Sequence, residues 1–315
     1  LRVKPDGSKI TLLAGGLRNP LDIAFNRAGE LFTFDADMER DVGTPWYMPT
    51  RVLHVVPGAD FGWRRGTGRF PSWYADTLPS VIDIGLSSPT GIFFGYGTAF
   101  PKKYQEALYL LDWSYGRIIA VHFGKVVTQE DFITGRPLNV TDGCIGPDGA
   151  MWFITGGRGT QSGLYRVTGT SSDGSDESDW SDKHAEKLQK RLSLESRPVA
   201  EWRDDALRSD DMQALLALAR VGQKPDLEPL LDAVMKASPK PTLDALRVIA
   251  VAIARQGEPT QKDKLAALAV YPADDTLLNR ELCRLLVYLK SPTVIEKTMP
   301  LLSAATSSED LLFYP

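Results

Sequence analysis

Hydrophobic and polar positions divide the 315-residue chain into two regions of different period. Up to about residue 169, short apolar runs of strand length are cut by Gly, Pro, Asn and Asp, the grammar of antiparallel strands joined by tight turns. One three-strand phrase recurs. Pro20-Leu-Asp-Ile-Ala-Phe leads to Glu30-Leu-Phe-Thr-Phe-Asp and then Arg51-Val-Leu-His-Val-Val. Pro89-Thr-Gly-Ile-Phe-Phe leads to Ala107-Leu-Tyr-Leu-Leu-Asp and Arg117-Ile-Ile-Ala-Val-His. Asp142-Gly-Cys-Ile-Gly-Pro-Asp-Gly leads to Ala150-Met-Trp-Phe-Ile-Thr and Gly163-Leu-Tyr-Arg-Val-Thr. Outer strands such as Val81-Ile-Asp-Ile and Asp131-Phe-Ile-Thr can follow. Units of roughly 40–50 residues built this way are the signature of propeller blades. A β-sandwich accounts for the alternation but not for the recurrence. Two nearly complete blades, a blade tail and a blade head make about half of a ring, so an upstream half is expected to be missing. The terminal runs, from Leu1 and up to Leu-Leu-Phe-Tyr-Pro315, read as cut at both ends. A half-ring leaves an exposed blade edge.

Residues 170–181 are too polar to bury a face and read as a linker. From Asp210 the period becomes helical. Helices are expected after Asp211, from Pro225, from Thr242 and from Asp275, with Leu278, Leu282, Leu285, Leu286 and Leu289 on one face of the last. Glu228-Pro-Leu-Leu and Met299-Pro-Leu-Leu repeat a phrase at the spacing of helical hairpins. This resembles HEAT-type repeats, an α-solenoid, with a plain helical bundle as the alternative. The expected domains are 1–169, a partial β-propeller, and 182–315, a helical repeat region with surfaces for a protein partner.

Composition sharpens the boundary. Of 27 glycines, 24 precede Thr170, and so do 23 of the 29 aromatic residues. A net charge of −4 gives no global attraction to nucleic acid. No run approaches the ~18 apolar residues of a membrane span. Cys144 and Cys283 fall in regions of opposite character, so a disulfide between them is not expected, and a Cys-x-x-Cys-His haem attachment site is absent.

Gly16-Leu-Arg-Asn-Pro, an apolar strand, an acidic loop, and Pro57-Gly-Ala-Asp-Phe-Gly-Trp together resemble the soluble quinoprotein glucose/sorbosone dehydrogenase family. Ser88-Pro-Thr-Gly-Ile-Phe-Phe, Leu108-Tyr-Leu-Leu-Asp and Gly146-Pro-Asp-Gly-Ala-Met-Trp-Phe extend the likeness to about residue 168. It is nearest to the bacterial multidomain branch, where helical repeats and often a c-type haem domain follow. The resemblance implies a six-bladed propeller that oxidises a sugar or polyol with pyrroloquinoline quinone and calcium. It further implies a periplasmic or extracytoplasmic location and an electron acceptor such as a haem domain outside this chain.

The resemblance places Arg18 and Asn19 at the quinone, where a guanidinium fork suits carboxylates and quinone oxygens. The alternative is that Arg-Asn-Pro simply makes a turn. The family's Gly-Pro calcium step is replaced by Asp35-Ala-Asp37, carboxylates that are candidate metal ligands. A family lysine is replaced by Ser114, and an arginine pair by Asn139 and Thr141. The catalytic base is a histidine on an earlier blade, so the chain is expected to be inactive alone. His54, His122 and His184 are not candidates for it. Trp46, Asp112, Trp113, Arg136, Asp142 and Arg158 are further ligand-face candidates. A non-catalytic carbohydrate- or protein-binding propeller is the alternative function.

Overall fold

A computed structural model describes residues 1–65, 69–169, 183–268, 270–307, 311, 313 and 314. The expected linker at 170–181 lies outside the described residues. Contacts divide the chain into two compact units. The first holds Leu1–Gly43, Tyr47–Phe70 and Leu78–Ala185, and the second holds Thr44–Trp46, Pro71–Thr77 and Glu186–Pro315.

The first unit is antiparallel throughout its named strands. A two-stranded ribbon, β1 (Arg2–Val3) and β2 (Ile10–Thr11), precedes three larger sheets. Sheet I runs β3 (Ile23–Phe25), β4 (Leu31–Asp35), β5 (Thr50–His54) and β6 (Ile82–Gly85) in sequence order. Sheet II runs β7 (Pro89–Phe94), β8 (Leu108–Asp112), β9 (Arg117–His122) and β10 (Thr128–Thr134), with the short helix α1 (Lys102–Gln105) between its first two strands. Sheet III holds β11 (Val140–Ile145), β12 (Met151–Gly157) and β13 (Thr160–Val167). Each recurring sequence phrase has become one sheet, and the order of strands within a sheet needs only hairpin connections.

The sheets stack face to face, and β8 shows why its sequence is apolar throughout. Leu108 and Leu110 join Ala24, Phe32, Phe34 and Val52 of sheet I in one core. Ala107, Tyr109 and Leu111 turn the other way and join Val140, Met151 and Phe153 of sheet III. A strand covered on both sides loses the polar half of the usual alternation. Innermost strands β3, β7 and β11 are neighbours in sequence of sheets. The outward faces differ. In β3, Ala24 is buried while Ile23 and Phe25 are 55% and 59% exposed. On sheet III, Ile154 and Leu164, partners across the strand pair, are 45% and 67% exposed.

The second unit is helical: α2 (Lys183–Glu195), α3 (Arg203–Arg208), α4 (Met212–Val221), α5 (Leu227–Ala237), α6 (Leu243–Gln256), α7 (Lys262–Leu268), α8 (Thr276–Tyr288) and α9 (Val294–Ala304). Their starts carry the local signals read from sequence. Asp211, Thr242 and Asp275 each accept a backbone N–H of the first turn from N-cap positions. α4 packs on α5 and α6, and α6 on α5 and α8. Leu215, Leu218, Leu230, Leu231, Val248 and Ala252 form their shared core. Leu282, Leu286 and Leu289 of the predicted α8 stripe are buried. Among the described residues no helix is long and apolar enough to cross a membrane.

Candidate functional site

Sheets I and II share a device at one edge. Asp35 ends β4 fully buried, and its carboxylate accepts the backbone N–H groups of Arg18 (3.0 and 3.1 Å) and Asn19 (2.9 Å). Arg51, its partner across the strand pair, brings a guanidinium to 3.5 Å. Asp112 ends β8 equally buried and accepts the N–H of Ser88 at 2.8 Å. Its cross-strand partner Arg117 donates Nε to it at 2.8 Å. A carboxylate taking backbone N–H groups and one guanidinium staples the loop entering the sheet to the third strand. Burial pushes the Arg51 guanidinium down from its usual value, and the Asp35 charge opposes this. Sequence reading missed the two arginines. The signal was an acid closing one strand and an arginine opening the next.

The glycine-rich motifs fix the same edge. Gly15 and Asp60 form a bridge, with Gly15 N–H donating to Ala59 O and Phe61 N–H to Gly15 O. Trp63 N–H reaches Gly16 O at 2.8 Å. Gly16 has φ +71°, and a Cβ there would lie 2.6 Å from the backbone nitrogens of Phe61 and Gly62. Only glycine lets the two segments close to this distance. Arg51 also donates to Phe61 O at 2.9 Å, tying this strip to the Asp35 staple.

Antiparallel pairing places the ends of β4, β8 and β12 and the starts of β5, β9 and β13 at one edge of their sheets. Most predicted site residues lie along it. The Arg18 backbone is held by Asp35, while its guanidinium meets Glu39 at 3.3 Å and the Met38 sulfur at 3.5 Å. Asn19 is exposed beside it. Asp37 is buried and accepts the Tyr47 hydroxyl at 2.6 Å. Burial raises its carboxyl above the usual range, against the lowering effect of the Tyr47 hydrogen bond, and Glu39 adds repulsion. Tyr47 is pushed up in turn by burial and by the Asp37 bond.

Trp113 follows β8, half-buried, and donates its indole N–H to Gly156 O of sheet III at 2.6 Å. Its own carbonyl accepts from the Asn139 amide at 2.8 Å. Arg158, at φ 48°, is exposed with its guanidinium 5.4 Å from the Trp113 ring centre. Asp142 is exposed and accepts the N–H of Gly143. Arg136 lines an open groove of about 600 Å³ with Leu86, Tyr115, Arg117 and Asp131. Trp46 belongs to the second compact unit.

His54 and His122 close β5 and β9, at the opposite edge from Asp35 and Asp112. His54 is buried and stacked on Phe32 at 5.0 Å. His122 contacts Lys103 O and Glu130. Among the described residues no group of three or more His, Cys, Asp or Glu side chains is arranged to hold a metal ion. Asp35 engages both oxygens in the staple, and Asp37 accepts the Tyr47 hydroxyl on Oδ2.

No family model matches the chain, and no curated protein matches it either. Solved structures do. One is a putative glucose dehydrogenase-type oxidoreductase from Thermus thermophilus, 21% identical with a TM-score of 0.39 over 49% of this chain and 46% of that one. Another is the quinone-bound aldose sugar dehydrogenase of Streptomyces coelicolor, 15% identical with a TM-score of 0.40 over 53% and 50%. A third is the soluble aldose sugar dehydrogenase of Escherichia coli, 19% identical with a TM-score of 0.39 over 49% and 46%. The chain spans about half the length of each.

Proposed function

We propose that sheets I to III are blades of a six-bladed propeller, and that the chain is the module of a quinone-dependent sugar or polyol dehydrogenase-like protein with a HEAT-like helical scaffold for docking. The observation that carries the reading is the buried Asp35 carboxylate, which fixes the Arg18–Asn19 backbone at the edge that also bears Trp113, Arg136 and Arg158. Two further features support it. The stacking of sheet I on II repeats in II on III, and the outward faces of I and III keep apolar side chains that further blades would cover.

Pyrroloquinoline quinone is a planar tricarboxylate, and the exposed guanidiniums of Arg136 and Arg158 suit its anions. Arg18 would add a third after release from Glu39. When bound, the quinone supplies a hydride acceptor. Residues of this chain would hold it, while the base that takes the sugar hydroxyl proton belongs to another blade. Calcium at Asp35 and Asp37 would compete with the staple and with the Tyr47 hydroxyl, and it forms no step of this reading. A periplasmic or extracytoplasmic site and a haem-type acceptor remain parts of the proposal.

A second reading is a propeller that binds carbohydrate or protein without redox chemistry. It is favoured by the two buried aspartates being spent as staples and both strand-end histidines lying at the far edge. Titrating the chain with pyrroloquinoline quinone, followed by absorbance, separates the two. The dehydrogenase reading expects saturable binding weakened at least tenfold by Arg158→Ala. Absence of saturable binding sinks it in favour of the second.

A further inference from the structure

Four alternate helices of the second unit each direct one arginine at the same short segment, Pro71–Thr77. Arg247 of α6 grips the Asp76 carboxylate with a two-pronged fork, Nε to Oδ1 at 2.6 Å and Nη2 to Oδ2 at 2.7 Å. Arg220 of α4 approaches Oδ2 at 3.3 Å. Arg191 of α2, 1% exposed, donates to Ala75 O at 3.4 Å. Arg284 of α8 donates to the Tyr74 hydroxyl at 2.8 Å, and the Arg247 guanidinium lies 4.1 Å from the Tyr74 ring centre. The segment is shaped by two successive turns, with Tyr74 N–H bonded to Pro71 O and Thr77 N–H to Tyr74 O.

Charge makes this more than an ordinary ion pair. Arg191 and Arg220 also meet Glu195, at 3.0 and 2.8 Å, so Glu195 and Asp76 both serve this group of guanidiniums. With Asp76 withdrawn, the Arg247 fork and the Arg220 contact both lose their carboxylate in a largely buried site. Uncompensated buried guanidiniums are costly, and such a site demands an anion. The bidentate fork selects a carboxylate, and the stacked ring selects an aromatic side chain two positions before it.

We propose that this arginine row is the peptide-docking site of the helical unit, that it recognises an acidic turn of pattern Tyr-x-Asp, and that residues 71–77 are its resident ligand. A covalently tethered ligand sits at an effective concentration of about millimolar, so a free peptide enters only when the resident is removed. The occupant is an aromatic-led acidic turn, carried here by the chain itself. This assignment stands whether or not the β unit binds a quinone.

The test uses the full chain carrying Tyr74→Ala and Asp76→Ala, with a fluorescein-labelled peptide of residues 69–78 as probe. Anisotropy should report binding to the variant at least tenfold tighter than to the unmodified chain, lost when Asp76 of the peptide is Asn. Equal binding to both chains, absence of binding to a variant shown folded by circular dichroism, or indifference to the Asp76→Asn peptide overturns the proposal. Should the double variant not fold, hydrogen exchange of the Arg247→Lys chain decides. Lysine keeps the charge but loses the fork, so exchange at 71–77 should accelerate at least tenfold with α4 and α6 unchanged. Equal acceleration in those helices makes the segment part of the helical core and overturns the assignment.

Discussion

Asp35 and Asp76 are both buried carboxylates met by arginine, one in each compact unit, and their partners separate their roles. Asp35 receives three backbone N–H contacts from Arg18 and Asn19 in addition to Arg51. Those donors belong to a loop that must enter the sheet at that point, so the acid is committed to local folding. Asp76 receives guanidiniums from two helices more than 140 residues away along the chain. Its donors would exist without it. A carboxylate that satisfies main-chain donors is a fastening, whereas one that satisfies only side-chain cations occupies a place another anion can take.

Removing each acid breaks or sharpens that comparison. Asp35→Ala is expected to cost most, about 3–5 kcal/mol, because it strands the buried Arg51 and frees the Arg18–Asn19 loop together. Urea unfolding followed by tryptophan fluorescence measures it, and a loss under about 1 kcal/mol, the worth of a surface pair, would contradict the staple. Gly16→Ala should follow at about 2–3 kcal/mol, since φ +71° and the contact with the Phe61 nitrogen both oppose a side chain. The same denaturation series reads it, and a neutral result would mean that the strip at 59–63 moves freely.

Asp76 gives a smaller effect with a sign. Burial raises its carboxyl, but the Arg247 fork and the nearby Arg220 and Arg191 charges outweigh burial and hold it below the usual carboxylate value. A depressed native value means that the stabilisation is complete above about pH 4, the unfolded value. It drains away as pH falls through the native value. Melting temperatures between pH 5 and 2 should therefore lose part of their acid slope in Asp76→Asn, and an unchanged slope would deny the pairing. Least affected should be Arg166→Ala, whose Asp148 partner lies at the surface, with no measurable shift in melting temperature.

What sequence made legible was whatever a few neighbouring residues decide. Ala107-Leu-Tyr-Leu-Leu-Asp is apolar at every strand position up to its closing acid, and it became the most buried strand, Leu108–Asp112. Asp211, Thr242 and Asp275 precede their helices as caps, because the hydrogen bond they make lies within one turn. Site chemistry was less legible, since the side-chain partners are distant. The N–H groups of Arg18 and Asn19 that Asp35 accepts lie seventeen and sixteen positions earlier, beyond any local pattern. Asp76 lies 171 residues from Arg247, and no local period announces the pair.

The indole of Trp113 is an optical instrument already installed at the sheet edge. Its N–H is fixed on Gly156 O, so the ring cannot reorient easily, while the charge of Arg158 stands 5.4 Å from its centre. An anion that draws this guanidinium away alters the electric field across a chromophore of fixed direction. The emission colour of that one tryptophan, isolated by difference against Trp113→Phe, therefore records arrival of a ligand without any label or turnover.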